Sequence, residues 1–150
     1  MEDMTNPHHP PNKDPGLVDA LTQLSFLIHT TLSEIANQHD LSVIQTRLLT
    51  ALRDREPTMN ALGRQLGLDK SSISGLVDRA ERRGLVTRTV SPTDRRAFQV
   101  SMTDAGRALL HQVTTRFAER IETLTADLPT TDRTELSRLA THIVTTEATN

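Results

Sequence analysis

Between Asp69 and Gly84 the chain reads DKSSISGLVDRAERRG, which sets short hydroxyl side chains beside long cations. Lys70, Ser71, Ser72, Ser74, Gly75, Arg79 and Arg82 together offer compact hydrogen-bonding groups and positive charge. Such a set suits two tasks: hydrogen bonding to base edges in a major groove, and neutralising phosphates. Serine and glycine are poor helix formers, so their clustering makes sense where another surface must come close to the backbone. The same residues also fit an exposed helix with a few weak formers. Taken alone, the stretch leaves both readings open.

Either way the stretch must be a helix. Asp69 is a good N-cap, because its carboxylate can accept an orphan backbone N–H. Gly84 stands where a left-handed cap is expected. Ile73, Leu76, Val77 and Ala80 fall at i, i+3, i+4 and i+7, so one apolar stripe lies opposite the polar set. Upstream, Pro57-Thr58 opens a short helix over Met59 to Leu66 that Gly67 ends. Two short helices joined by a tight glycine turn are the sequence form of a helix-turn-helix.

After Gly84 the periodicity changes. Leu85 to Val90 and Ala97 to Met102 are rich in β-formers, and Phe98, Val100 and Met102 alternate as in a half-buried strand. Between them, Ser91-Pro92-Thr93-Asp94 carries a type I turn signal, with proline at the second position. A hairpin straight after a recognition helix is a wing. Asp94, Arg95 and Arg96 sit at its tip, where an exposed arginine can enter a narrow minor groove. Asp94 can accept hydrogen bonds from Arg96 and hold it extended. A solvated turn ion pair of little energetic weight is the other reading.

Longer helices flank this core. Asp14-Pro15 reads as an N-cap followed by a first helical residue, and Leu17, Leu21, Leu24, Ile28, Leu32, Ile35 and Ala36 then line one side as far as Gln38. Ser42 and Gln45 are spaced as a capping box for a second helix that runs to about Asp54. Thr103 caps a helix carrying Leu109, Val113, Phe117, Ile121, Leu124 and Leu128, broken by Pro129. A last helix, about Asp132 to Thr146, bears Leu136, Leu139, Ala140, Ile143 and Val144. The first and fifth helices, at 1.5 Å per residue, reach about 36 Å, more than a compact winged helix can cover. Apolar stripes projecting beyond it predict a two-fold dimer.

The expected fold is therefore mainly α with a small β-hairpin wing. A winged helix-turn-helix lobe spans about 42–102, and dimerisation helices span about 14–39, 103–128 and 132–147. Together they form a single domain over 14–150. Residues 1–13, with three prolines and adjacent His8 and His9, read as a disordered arm.

Composition narrows the function. The 150 residues carry 17 basic and 19 acidic groups, so total charge argues for no partner. Its distribution argues more: Arg64 to Arg107 holds nine basic against five acidic residues, leaving eight basic and fourteen acidic elsewhere. A locally basic segment in an acidic frame suits a phosphate-facing module. Cysteine is absent, which removes disulfides, thiolate metal sites and thiol redox sensing. No apolar run approaches a membrane span and no signal-peptide core is present, so a cytoplasmic protein is expected. There is no glycine-rich phosphate loop, no Ser-His-Asp context and no metal-ligand constellation, His111 and His142 included. Neither enzyme activity nor a cofactor or metal is expected.

Several pieces in order carry a family resemblance: LSVIQ (41–45), LGRQLG (62–67), DKSSIS (69–74), Asp78-Arg79, ERRGLV (81–86), DRR (94–96) and MTDAGR (102–107). From about residue 14 onward the chain resembles the MarR (multiple antibiotic resistance regulator) family of transcription factors. Ala80 departs from the leucine often found there but stays apolar. The resemblance implies a homodimer of winged helix-turn-helix lobes on a pseudo-palindromic DNA operator, with half-sites about one helical turn apart. Carried over by position, Ser71, Ser72, Ser74 and Gly75 lie at the major groove, Lys70 and Arg79 reach bases or phosphate, and Arg96, positioned by Asp94, enters the minor groove. Asp78 is expected to pair with Arg82 four residues on, in preference to a cytosine amine.

Family members usually repress nearby genes and release DNA when a small, often phenolic or anionic aromatic, effector enters a crevice between the dimer helices and the DNA lobe. Candidate lining residues are Phe26, His29, His39, Arg47 and Phe117. The alternative function is a winged-helix module acting through protein contacts, with little specific DNA binding. The set Lys70, Arg79 and Arg96 argues against it, because a module freed from DNA need not keep phosphate-reaching residues.

Overall fold

The computed structural model describes residues 16–149; the arm and the Asp14-Pro15 cap lie outside them. The elements follow in the order α1 (Gly16–Gln38), α2 (Val43–Ala51), α3 (Met59–Leu66), α4 (Lys70–Arg82), β1 (Val86–Val90), β2 (Phe98–Met102), α5 (Asp104–Leu124) and α6 (Thr130–Thr149). This is a mainly helical fold with a two-stranded antiparallel wing, as expected.

The local signals act where the sequence puts them. Ser42 and Gln45 close a reciprocal capping box on α2. Thr58, Asp69 and Thr103 each accept an N–H of the first turn of α3, α4 and α5. Gly67 and Gly84 take left-handed φ values of 68° and 73°, a region where a side chain would clash with the backbone.

Helix ends differ in three places. α2 stops at Ala51, with Leu52 as C-cap, three residues before Asp54. α5 stops at Leu124 rather than Leu128, because Pro129 disfavours helical backbone just ahead of it, and the intervening residues form a turn closed by Leu128 N–H to Thr125 O. α6 begins at Thr130 rather than Asp132, since the Pro129 carbonyl accepts from Arg133 N–H and starts the helix at once.

One core joins the lobe. Leu41, Leu48, Leu49, Leu52, Leu62, Leu66, Ile73, Leu76, Val77, Ala80, Leu85, Val86 and Val100 are buried with Ile35, Ala36, Leu110 and Val113 of the long helices. The wing is held at its middle and at its base in two ways that residue types did not reveal. Thr58 bridges to Gln99, and the Pro57 carbonyl accepts from Val100 N–H, so the segment before α3 acts as a short third strand. On the other side, Thr103 Oγ1 donates to Gly84 O at 2.6 Å and Thr103 N–H donates to Leu85 O at 3.0 Å. α5 then passes so close that a Cβ on Gly106 would lie 2.2 Å from Leu85 O.

The outer helices are far less covered. Only the second half of the α1 stripe packs inward: Leu17 and Val18 are 75% and 77% exposed, and Leu21, Leu24, Leu27 and Ile28 are also open. α6 buries no residue, leaving Leu136, Leu139, Ile143 and Val144 open to solvent.

The Gly106 contact predicts the sign of a substitution. Alanine would gain about 1 kcal/mol in helix propensity, but a Cβ against a backbone carbonyl forces a main-chain shift costing about 1–3 kcal/mol. Gly106→Ala should therefore lower stability on balance, by up to about 2 kcal/mol in urea unfolding; an unchanged midpoint would mean that α5 slides freely on the wing base.

Candidate nucleic-acid interface

Burial of Ile73, Leu76, Val77 and Ala80 fixes the rotation of α4 about its axis. Lys70, Ser71, Ser72, Arg79 and Arg82 are consequently exposed, with Ser74 and Gly75 half-buried beside them. The Asp69 cap pins the start of this face: its Oδ1 accepts Ser72 N–H at 2.7 Å. That bond, with help from the Ser72 hydroxyl, holds the Asp69 carboxyl below its ordinary range. Gly75 has a second use. Its missing Cβ leaves room for Arg79, whose Nη1 lies 3.2 Å from where that atom would be, so the guanidinium folds back along the helix toward the serines.

The wing tip differs from its expected form. The turn hydrogen bond runs from Ala97 N–H to Asp94 O, so the tight turn is Asp94-Arg95-Arg96-Ala97 and not Ser91 to Asp94. Ser91 is instead buried, where its hydroxyl bonds Thr93 and its N–H reaches Ala97 O. Asp94 does bond Arg96, but through the backbone: Oδ1 accepts Arg96 N–H at 3.0 Å. This ties the carboxylate into the turn through the Arg96 main chain and not its guanidinium. Arg95 and Arg96 are exposed. The side chains of Lys70, Arg79, Arg82, Arg95 and Arg96 form no salt bridge with any described residue.

The expected Asp78–Arg82 pair is not formed. Asp78 bonds Arg88 of β1 at 2.6 Å, because the wing brings a guanidinium closer than the next turn of the helix does. Helix spacing alone cannot anticipate a partner from another element.

Two residues join the face without having been expected there. A hollow of about 530 Å³ between the start of α4 and the wing is lined by Asn60 and Arg64 of α3 together with Lys70, Asp94 and Arg96. The sequence placed Arg64 in the basic segment, but only the fold brings α3 and the wing to opposite sides of one hollow.

The candidate effector residues are not gathered into one crevice. Phe26 and His29 stay exposed on the open half of α1, and Arg47 is exposed on α2. Phe117 packs against the core. His39 lines a hollow of about 500 Å³ with Gln38, His111, Gln112, Thr115 and Arg116.

A family model described as "MarR family" matches residues 39–97, the stretch from the end of α1 through the wing loop. The HTH-type transcriptional repressor NicR of Pseudomonas putida is 36% identical over 95 residues, which cover 62% of this chain and 60% of NicR. Over this stretch the chain is similar to the MarR family. It spans about 60% of the length of the curated relatives it matches over this region. The MarR fold extends further than the sequence match. A mutant MarR of E. coli superposes with a TM-score of 0.77 at 22% identity, covering 89% of this chain and 99% of that one. A mutant MepR of S. aureus, bound to an oligodeoxyribonucleotide, does so with a TM-score of 0.63 at 22% identity, over 85% and 94%. Across the long outer helices, then, the likeness is one of fold.

The Asp69 cap makes a pH prediction. Its carboxyl is more acidic folded than unfolded, so the cap stabilises α4 at neutral pH and is lost as the pH falls through the folded-state value. The Ser72 amide resonance should therefore titrate in acid with Asp69. Asp69→Asn, another good cap, should hold that resonance flat over the same range; a matching titration in the variant would assign it to a different group.

Proposed function

We propose that this chain is a sequence-specific DNA-binding transcriptional regulator, a repressor that binds a pseudo-palindromic operator as a homodimer. One observation carries the reading. The outward face of α4 and the wing tip both present cations without salt-bridge partners, on either side of one hollow, while their apolar faces make a shared core. Lys70, Ser71, Ser72, Ser74, Gly75, Arg79 and Arg82 meet the major groove and its phosphates. Arg95 and Arg96 reach the minor groove, with Asp94 shaping the turn beneath them. Asn60 and Arg64 extend the phosphate-facing wall. This chemistry neutralises backbone charge and offers small donors and acceptors to base edges; it needs neither catalysis nor a cofactor.

Homodimerisation follows from the open apolar stripes of α1 and α6, which a second copy would cover. Asp14 to the end of the chain acts as one unit in this reading, with the dimer helices outside the lobe, and it works in the cytoplasm where the operator lies. A small anionic or aromatic effector has its best remaining candidate site beside His39.

Fluorescence anisotropy on the upstream intergenic DNA, at two salt concentrations, tests the central claim. Specific binding should persist in competitor DNA and weaken steeply with salt; equal binding to random DNA would sink it. Arg96→Ala should weaken operator binding by about 1–3 kcal/mol with the dimer intact, and full affinity in that variant would remove the minor-groove role. Deleting Asp132 to Asn150 should yield monomers or aggregates by light scattering, whereas a stable dimer would put the interface elsewhere.

A further inference from the structure

Asp78 and Glu81 stand one turn apart on α4, and both side chains turn toward β1. Nη2 of Arg88 donates to Asp78 Oδ1 at 2.6 Å and to Glu81 Oε1 at 3.3 Å, while Glu81 Oε2 accepts the backbone N–H of Arg88 at 3.1 Å. The middle residue of β1 is thus tied to the recognition helix by side chain and main chain together. The Arg88 side chain is only 28% exposed, less than either carboxylate, so this pairing is screened less than a surface ion pair. In this arrangement Arg88 points at α4, unlike Arg95 and Arg96 at the tip.

Two carboxylates on a helix aimed at a polyanion ought to be a liability, since each repels phosphate. They have a use if they hold something in place. Past the Thr58–Gln99 bridge, which lies opposite Thr89, the wing tip hydrogen-bonds only to itself among the described residues, so a small change of tilt at the strand is magnified at Arg96. The segment before α3 holds the middle of β2 and the α5 cap holds the base of the wing; the Arg88 bridge is the tie on its α4 side.

We propose that Arg88 is a positioning residue. Bridging Asp78 and Glu81, it sets the angle of the wing to the recognition helix, so that Arg96 meets the minor groove while the serine face meets the major groove of the same site. The inference rests on the DNA-binding reading for its consequence, but the tie itself is a property of the protein without DNA.

The test uses Asp78→Asn/Glu81→Gln in the full chain, because two explanations then predict opposite signs. If the carboxylates are merely acidic neighbours, neutralising them relieves repulsion and tightens DNA binding. If they position the wing, binding to the upstream DNA weakens, by about 5- to 10-fold. In an Arg96→Ala background the loss should shrink to about 2-fold or less, since the misplaced group is already gone. Arg88→Lys keeps one charged nitrogen for the two carboxylates and should stay within about 3-fold of the parent. Tighter binding, or an undiminished loss without Arg96, overturns the proposal. Native-state hydrogen exchange supplies the arm without DNA: wing amides should exchange about 10-fold faster in the double variant while α2 and α5 stay unchanged. Unaltered wing exchange overturns the tie. If the parent protein binds no DNA specifically, the DNA reading fails, and exchange alone decides whether Arg88 holds the wing.

Discussion

Everything outward-facing in this protein depends on the burial of one apolar stripe. Ile73, Leu76, Val77 and Ala80 sink into the core with Leu48, Leu49 and Leu62 behind them. A helix held by four such side chains cannot rotate without exposing them, at about 25 cal/mol per Å² of apolar surface. The serines, Gly75 and the arginines are therefore presented in one direction by packing rather than by any contact of their own. The cations of this face form no salt bridge with any described residue, which is the complement of that burial.

The wing is placed by a different kind of constraint. Its strands bury little beyond Val86 and Val100, so apolar packing is too sparse to orient it. Backbone contacts seat its base instead, and the Arg88 bridge ties it to α4. The left-handed turn at Gly84, the Thr103 bonds to Gly84 and Leu85, and the absence of a side chain on Gly106 bring three elements within van der Waals contact. The long helix α5 is thereby seated on the junction between the recognition helix and its wing. A shift of α5 reaches that junction through packed backbone.

Outside the lobe the balance reverses. α1 and α6 carry enough leucine, isoleucine and valine for a core, yet most of it faces outward. Helices of this length are sustained by packing of an apolar face more than by propensity, and within a single chain that packing is supplied only to the inner half of α1. The open faces lie on the two terminal helices, on elements other than the α3, α4 and wing that carry the cationic surface.

By itself, the sequence determined the elements, because caps, glycines and apolar periodicity act over a few residues: Ser42 with Gln45, Asp69, Thr103, Gly67, Gly84 and the α4 stripe all stand where local chemistry requires. It also determined which residue types the α4 face and the wing tip carry, and the ordered motifs from LSVIQ to MTDAGR pointed to the family. What only the tertiary structure decided is which distant groups meet. Helix spacing pointed Asp78 to Arg82, and the fold gave it Arg88. Turn composition pointed to Ser91–Asp94, and the strand register closed Asp94–Ala97. Phe26, His29, His39, Arg47 and Phe117 were similar in promise, and packing scattered them. Asn60 and Arg64 joined the cationic surface because α3 and the wing face one hollow. These outcomes turn on angles between elements, which arise from the summed burial of side chains far apart in the chain and leave no mark in any short stretch of it.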